Sequence, residues 1–271
     1  MSYDAAVALD FFQSAGRAKD IGKGTVIFAE KESDNPLLFQ HSKIYLLVEG
    51  EVGLLAGLRP IGTVRKGEIF GEMAAITHAP RSATAVAKTD CRVIALDDKE
   101  LESGLEMQPV FALMLMSLMI GRLRETIARL AASGALAQGT EWKEAAAFGR
   151  KQLDDLVRGL VDDPPVYYQR GQSIMSEGQK AIRMYVVLEG RVAVSIGGRV
   201  VERLGPGGAF GEAALVDPSP RLASAVAETD CELLPITRQA FLALVKLNAE
   251  FAYSMLSALA ARLRFLTERI K

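Results

Sequence analysis

The stretch FGEMAAITHAPRSATAVA (residues 70–87) returns as FGEAALVDPSPRLASAVA (residues 210–227), exactly one offset of 140 further along the chain. The same offset of 140 relates Tyr45 to Tyr185, Gly50 to Gly190, Gly67 to Gly207, Cys91 to Cys231 and the Arg122-Leu123-Arg124 triplet to Arg262-Leu263-Arg264. Between residues 67–96 and 207–236, 14 of 30 positions are identical. Self-similarity over this length means a duplicated unit, and it governs every later inference about the fold. Upstream the copies differ. Glu30 to Tyr45 spans 15 positions and Glu177 to Tyr185 spans 8, so the first copy carries seven extra residues within KESDNPLLFQHS. Ser, Asp, Asn and Pro there read as a loop. It is either a simple hairpin extension or a contact surface built on Leu37, Leu38 and Phe39.

Each copy alternates short apolar runs with glycine turns, as in IYLLVEGEVGLLAG and MYVVLEGRVAVSIGG, and then changes to helical spacing. The expected fold class is therefore α+β. It has two jelly-roll-like antiparallel β-rolls, each followed by a long C-terminal helix and joined by a helical linker. The repeat sets the segments at 1–135 for the first domain, 136–165 for the linker and 166–271 for the second domain. Within the linker, residues 141–160 read as one helix, ended by Pro164 and Pro165.

In both copies a glycine and small residues surround one glutamate and one arginine. Gly71 and Ala74 let a ligand approach the backbone closely, and a short helix starting here would direct free N–H groups at an anion. The Arg81 guanidinium offers a planar fork that matches two phosphate oxygens. Ser82 adds a hydroxyl donor and Ala83 an amide. Glu72 would repel a phosphate, but it would accept a hydrogen bond from a sugar hydroxyl. Carboxylate, guanidinium and small-residue loop together describe a pocket for a ribose joined to a phosphate.

The sequence GEIFGEMAAITHAPRSATA closely resembles the phosphate-binding cassette of cyclic-nucleotide-binding domains, as found in the bacterial catabolite activator protein and the regulatory subunits of cyclic-AMP-dependent protein kinase. The resemblance extends over both halves. It implies that Glu72 and Glu212 take the ribose 2′-hydroxyl and that Arg81 and Arg221 take the cyclic phosphate. Phe70, Gly71, Met73, Ala74, Ser82 and Ala83 complete the first cassette. Phe210, Gly211, Ala213, Ala214, Leu222 and Ala223 complete the second. It also implies that the long helix reads the base: Thr126 falls where the family's helix offers a hydroxyl, the equivalent position in copy two is Leu266 with Thr267 next to it, and the alternative is a helix-surface threonine without ligand contact. Leu222 stands where Ser82 stands, so the second site loses a hydroxyl donor worth about 1.5–3 kcal/mol. Site one should therefore fill first. Ser82 is compatible with either base, and the resemblance leans to cAMP, with cGMP and cyclic dinucleotides as the other ligands to test.

Other features fit this reading. The chain has 271 residues, 32 basic and 33 acidic, with a formal net charge of −1, which argues against a general polyanion binder. Two distant cysteines, with no Cys/His cluster, exclude a zinc or iron–sulfur centre of ordinary type. Cys91 and Cys231 read as small buried hydrophobes; a redox switch would need an exposed, electropositive setting. His41 and His78 fall in loops and should be solvated. The N-terminus has no signal-peptide pattern, and the longest apolar run, VFALMLMSLMI, has 11 residues against the ~20 that span a bilayer, so a soluble, cytoplasmic protein is expected. The methionines from Met114 to Met119 read as core.

Heptad seams run along both long helices, through Leu113, Met116, Ile120, Leu123, Ile127 and Leu130 and through Leu256, Leu259, Leu263, Leu266 and Ile270. They predict an intrachain pseudo-dimer with the two helices side by side, or a homodimer through the same surface. A helix over 109–132 is about 36 Å long, and a turn over 133–140 followed by a helix over 141–160, about 30 Å, would bring the chain back. Arg122, Arg124, Arg129, Arg262, Arg264 and Arg269 are expected to be solvated or ion-paired. The sequence carries no helix-turn-helix, kinase catalytic loop, P-loop or Arg-Arg-x-Ser/Ala segment. The expectation is a non-enzymatic sensor without its own output domain and without a cofactor. It would act on an unknown protein effector, with no direct DNA binding and no membrane association. The alternatives are a scaffold with degenerate pockets, or a transcription regulator acting through a partner.

Overall fold

The duplicated alternation folds into two antiparallel β-rolls, described by a computed structural model. It covers residues 3–33, 42–132, 142–143, 146–160, 163–180, 182–216 and 220–267. Leu37, Leu38, Phe39 and His41, the turn over 133–140, Arg269 and Ile270 lie outside the described residues.

Packing divides the chain between Phe111 and Ala112 into two compact units, one spanning Tyr3–Phe111 and the other running from Ala112 onward. The first contains helix α1 (Ala5–Ala15), strands β1 (Arg17–Ile21), β2 (Val26–Phe28), β3 (Ile44–Glu49), β4 (Val52–Ala56), β5 (Arg59–Val64) and β6 (Ile69–Phe70), and helix α2 (Glu72–Thr77). Strands β7 (Thr84–Ala87) and β8 (Cys91–Leu96), then helix α3 (Asp98–Met107), complete it. Two four-stranded sheets, ordered β1-β8-β3-β6 and β2-β7-β4-β5, face each other across Phe28, Leu47, Val52, Phe70, Ala85 and Val93. Alternation along β7 supplies part of this core, while β8 is buried along most of its length. Helix α3 starts on a reciprocal cap, with Asp97 accepting from the Glu100 amide and Glu100 from the Asp97 amide. Phe111 stacks on Phe11 of α1 with ring centroids 3.5 Å apart.

Helix α4 (Val110–Ala132) enters the second unit at Ala112. The second unit continues with β9 (Trp142–Lys143), α5 (Arg150–Gly159), β10 (Val166–Tyr168), β11 (Ser173–Met175), β12 (Arg183–Glu189), β13 (Val192–Ile196) and β14 (Arg199–Leu204). It ends with β15 (Ala209–Phe210), α6 (Ala213–Val216), β16 (Ser224–Ala227), β17 (Cys231–Thr237), α7 (Arg238–Leu247) and α8 (Glu250–Thr267). Its sheets, β10-β17-β12-β15 and β11-β16-β13-β14-β9, repeat the first unit's order with β9 added in parallel to β14. Val187, Val192, Phe210, Ala225 and Leu233 form its core, 140 residues after Leu47, Val52, Phe70, Ala85 and Val93. The packing units thus differ from the segments of the sequence repeat, because the helix that follows copy one lies in the unit of copy two.

One expectation is corrected. The linker is not helical from 141 to 160: Trp142 and Lys143 pair with β14, and the helix begins only at Arg150. The cause is Phe148. It is buried, stacks on Phe251 at 5.2 Å, and its amide donates to the Gly207 carbonyl at 3.1 Å. These bonds hold the chain in non-helical form until Gly149, whose amide donates to the Gln152 side chain at 2.9 Å and opens α5.

Both cysteines are buried and form no disulfide. Each thiol donates to a backbone carbonyl 40 residues earlier, Cys91 to Glu51 and Cys231 to Arg191. His78 is exposed, and Met114, Met116 and Met119 are buried. No single helix among the described residues is long and apolar enough to cross a bilayer.

Candidate functional site

The two cassettes are built alike. In the first, β6 leads into Gly71, whose backbone is left-handed at φ 76°, and α2 begins at Glu72. Arg81 donates through one terminal nitrogen to the Gly71 carbonyl at 2.7 Å and through the other to the Lys43 carbonyl at 2.9 Å. Its guanidinium lies 4.2 Å over the Phe28 ring. In the second, Arg221 donates to the Gly211 carbonyl at 2.6 Å and to the Arg183 carbonyl at 2.6 Å. The glycine is required. A Cβ on Gly211 would stand 2.4 Å from the Arg221 guanidinium, and the left-handed φ of 77° disfavours any other residue.

Glu72, Arg81, Glu212 and Arg221 are all buried. Burying charges is costly unless they are paired. Burial pushes the Arg221 guanidinium down from its usual range, while Tyr185 and then Glu212 work against that fall. Even so, among the described residues no carboxylate lies within ion-pair distance of Arg221, and its buried Nε has no hydrogen-bond partner. Its two terminal nitrogens are held in place by carbonyls, so the cation is rigidly held with no described carboxylate in ion-pair contact.

In the second unit a pocket opens on this cassette. Phe210, Gly211, Glu212, Ala213, Arg221, Leu222 and Ala223 line it. Ala214 does not, and Thr267 does not either; its hydroxyl donates to the Leu263 carbonyl at 2.7 Å. Phe265 and Leu266 of α8 form one apolar wall, and Ile120, Leu123 and Ile127 of α4 form another. The seams of α4 and α8 therefore meet over one pocket. Thr126 is buried in the second unit, whereas Phe70, Gly71, Glu72, Met73, Ala74, Arg81, Ser82 and Ala83 belong to the first.

Two residues of this pocket are not marked by the repeat as site residues. Arg262 of α8 is buried and donates to Glu212 at 2.9 Å, to Glu202 at 3.3 Å and to the Ala209 carbonyl at 2.6 Å. It is ion-paired, as one branch of the sequence reading has it, but it is not solvated. Glu202 lines the pocket from β14. Strand alternation places it on the same face as buried Leu204, which is the one sequence signal that points inward.

A model of the cyclic nucleotide-binding domain matches this chain twice, at residues 19–107 and 165–248, together more than half of its length. A cAMP-dependent protein kinase regulatory subunit from Eremothecium gossypii is 30% identical over 198 residues, 73% of this chain and 38% of that protein. A cyclic AMP receptor protein from Thermus thermophilus is 39% identical over 102 residues, 36% of this chain and 47% of that protein. The chain thus spans less than half the length of either relative. The regulatory domain of Toxoplasma gondii PKA with cAMP is similar at 20% identity and a TM-score of 0.32, over 92% of this chain and 87% of that one. The paired Glu/Arg cassettes, the two β-rolls and the double match place the chain in the cyclic nucleotide-binding domain family.

Proposed function

We propose that this protein is a non-enzymatic sensor with two cyclic-nucleotide sites, which signals through its long helices to a protein effector. The observation that carries the reading is Arg221: a buried, rigidly held guanidinium with no carboxylate partner among the described residues, which a cyclic phosphate would complete. Glu212, nearby in the same pocket, supplies the acceptor for a ribose hydroxyl. Arg81 and Glu72 stand at the same positions of the first cassette, where Ser82 adds a phosphate donor that Leu222 cannot. The first site is read as a cAMP site, and an effector is proposed because the known relatives include a kinase regulatory subunit.

Signalling would follow from differential binding. A ligand shifts two arrangements of the helices only by as much as it prefers one. In the second unit, α4 and α8 both border the pocket, so a nucleotide there would touch both helices at once.

Titration calorimetry of the full chain with cAMP and with cGMP tests the reading. Arg81→Ala and Arg221→Ala should each weaken one site by about 2–5 kcal/mol. Absence of heat with every cyclic nucleotide, in wild type and variants alike, would leave a scaffold with degenerate pockets as the better account.

A further inference from the structure

The pocket of the second unit has four charged side chains on its wall: Arg221, Glu212, Arg262 and Glu202. In the reading above Arg221 takes the phosphate and Glu212 the ribose. Arg262 is committed to Glu212, Glu202 and the Ala209 carbonyl. Glu202 has no role in that scheme, and the duplication does not require it. The position 140 residues earlier is Gly62, which is exposed in the first unit. The β-roll therefore forms without a carboxylate here. Two buried carboxylates sharing one guanidinium is a costly arrangement, and an apolar residue would be the cheaper occupant of a strand position facing the core.

The remaining walls are apolar. Thr267 is turned back on its own helix, so no side-chain hydroxyl from α8 reads a base in this pocket. Among the described residues on the wall, Glu202 is the side-chain acceptor that this scheme leaves for a polar edge of the ligand, although its Oε1 also accepts from Arg262 at 3.3 Å. An ionised carboxylate only accepts, and it has two oxygens with which to do so. The Watson–Crick edge of guanine presents two adjacent N–H donors, at N1 and N2. Adenine presents one amino donor beside an N1 lone pair, which a carboxylate repels. Resting on the reading of this pocket as a cyclic-nucleotide site, we infer that Glu202 is a specificity-determining residue that makes the second site select guanine over adenine, so that the two halves of the chain sense different cyclic nucleotides.

The test uses the full chain carrying Arg81→Ala, which silences the first site, titrated with cGMP, cAMP and cyclic inosine monophosphate. The inosine ligand keeps the N1–H of guanine and lacks its amino group. Site two should bind cGMP roughly ten- to a hundredfold more tightly than cAMP, the factor that a hydrogen bond to a charged group commands, with the inosine ligand between them. Glu202→Gln, which offers one acceptor and one donor and so matches adenine, should invert the order. That inversion is a change a purely structural role would not produce, and the comparison of three ligands on the Glu202 protein stands even if the variant does not fold. Equal or tighter binding of cAMP by the Glu202 protein overturns the inference while leaving the nucleotide site intact. Failure of all three ligands to bind, or binding that Arg221→Ala leaves unchanged, overturns the site reading and the inference with it.

Discussion

A glycine decides whether each cassette can form. Gly211 occupies left-handed backbone and lets the Arg221 guanidinium rest on its carbonyl, which leaves no room for a side chain. Gly211→Ala should cost about 1–3 kcal/mol through backbone strain alone. It should also displace Arg221, so nucleotide binding at the second site is lost while the first site titrates normally. Thermal unfolding and calorimetry on the same variant separate the two effects. The residues that could be read from sequence at this scale are those that the chain repeats. Glu212 and Arg221 stand at the same offset of 140 from Glu72 and Arg81. Glu202 is not repeated, and nothing but strand alternation hints that it faces inward.

At the scale of elements, tertiary contacts overrule helical pattern in the linker. Residues 141–160 include EWKEAAAFGRK, which suits a helix by composition. Phe148 prevents one helix because its ring is worth more buried against Phe251 than the few helical hydrogen bonds it interrupts. Phe148→Ala should destabilise the second unit by about 3–5 kcal/mol. It should also free residues 146–149, an outcome that hydrogen exchange of their amides would report. The β-rolls, by contrast, follow the pattern closely. Alternation is strict in β7 and β16, and the copies pair in the same register, with Tyr45 opposite Phe70 and Tyr185 opposite Phe210.

For the whole molecule, the packing boundary matters more than the repeat boundary. Ile120, Leu123 and Ile127 belong by sequence to copy one but line the pocket of the second unit. A chain beginning at residue 112 should therefore fold with its second site intact. A chain beginning at 136 should lose that wall, at about 1.5–3 kcal/mol for each large apolar side chain left uncovered, and bind nucleotide weakly or not at all. Calorimetry on the two fragments checks this; equal binding by both would show that α4 is dispensable to the site.

The sequence by itself determined the duplication, the β-roll class and the identity of the paired glutamates and arginines, because each rests on local pattern: period-two alternation, glycine turns and a motif that occurs twice. Only the tertiary structure decided which helix closes which pocket, that Arg262 is buried between two carboxylates, and that Thr267 turns away while Glu202 turns in. Those outcomes depend on which apolar faces are buried together across long separations in the chain. A heptad seam states that a helix has a partner, but the volume and shape of the available surfaces choose the partner, and neither is written in the spacing of residues along one element.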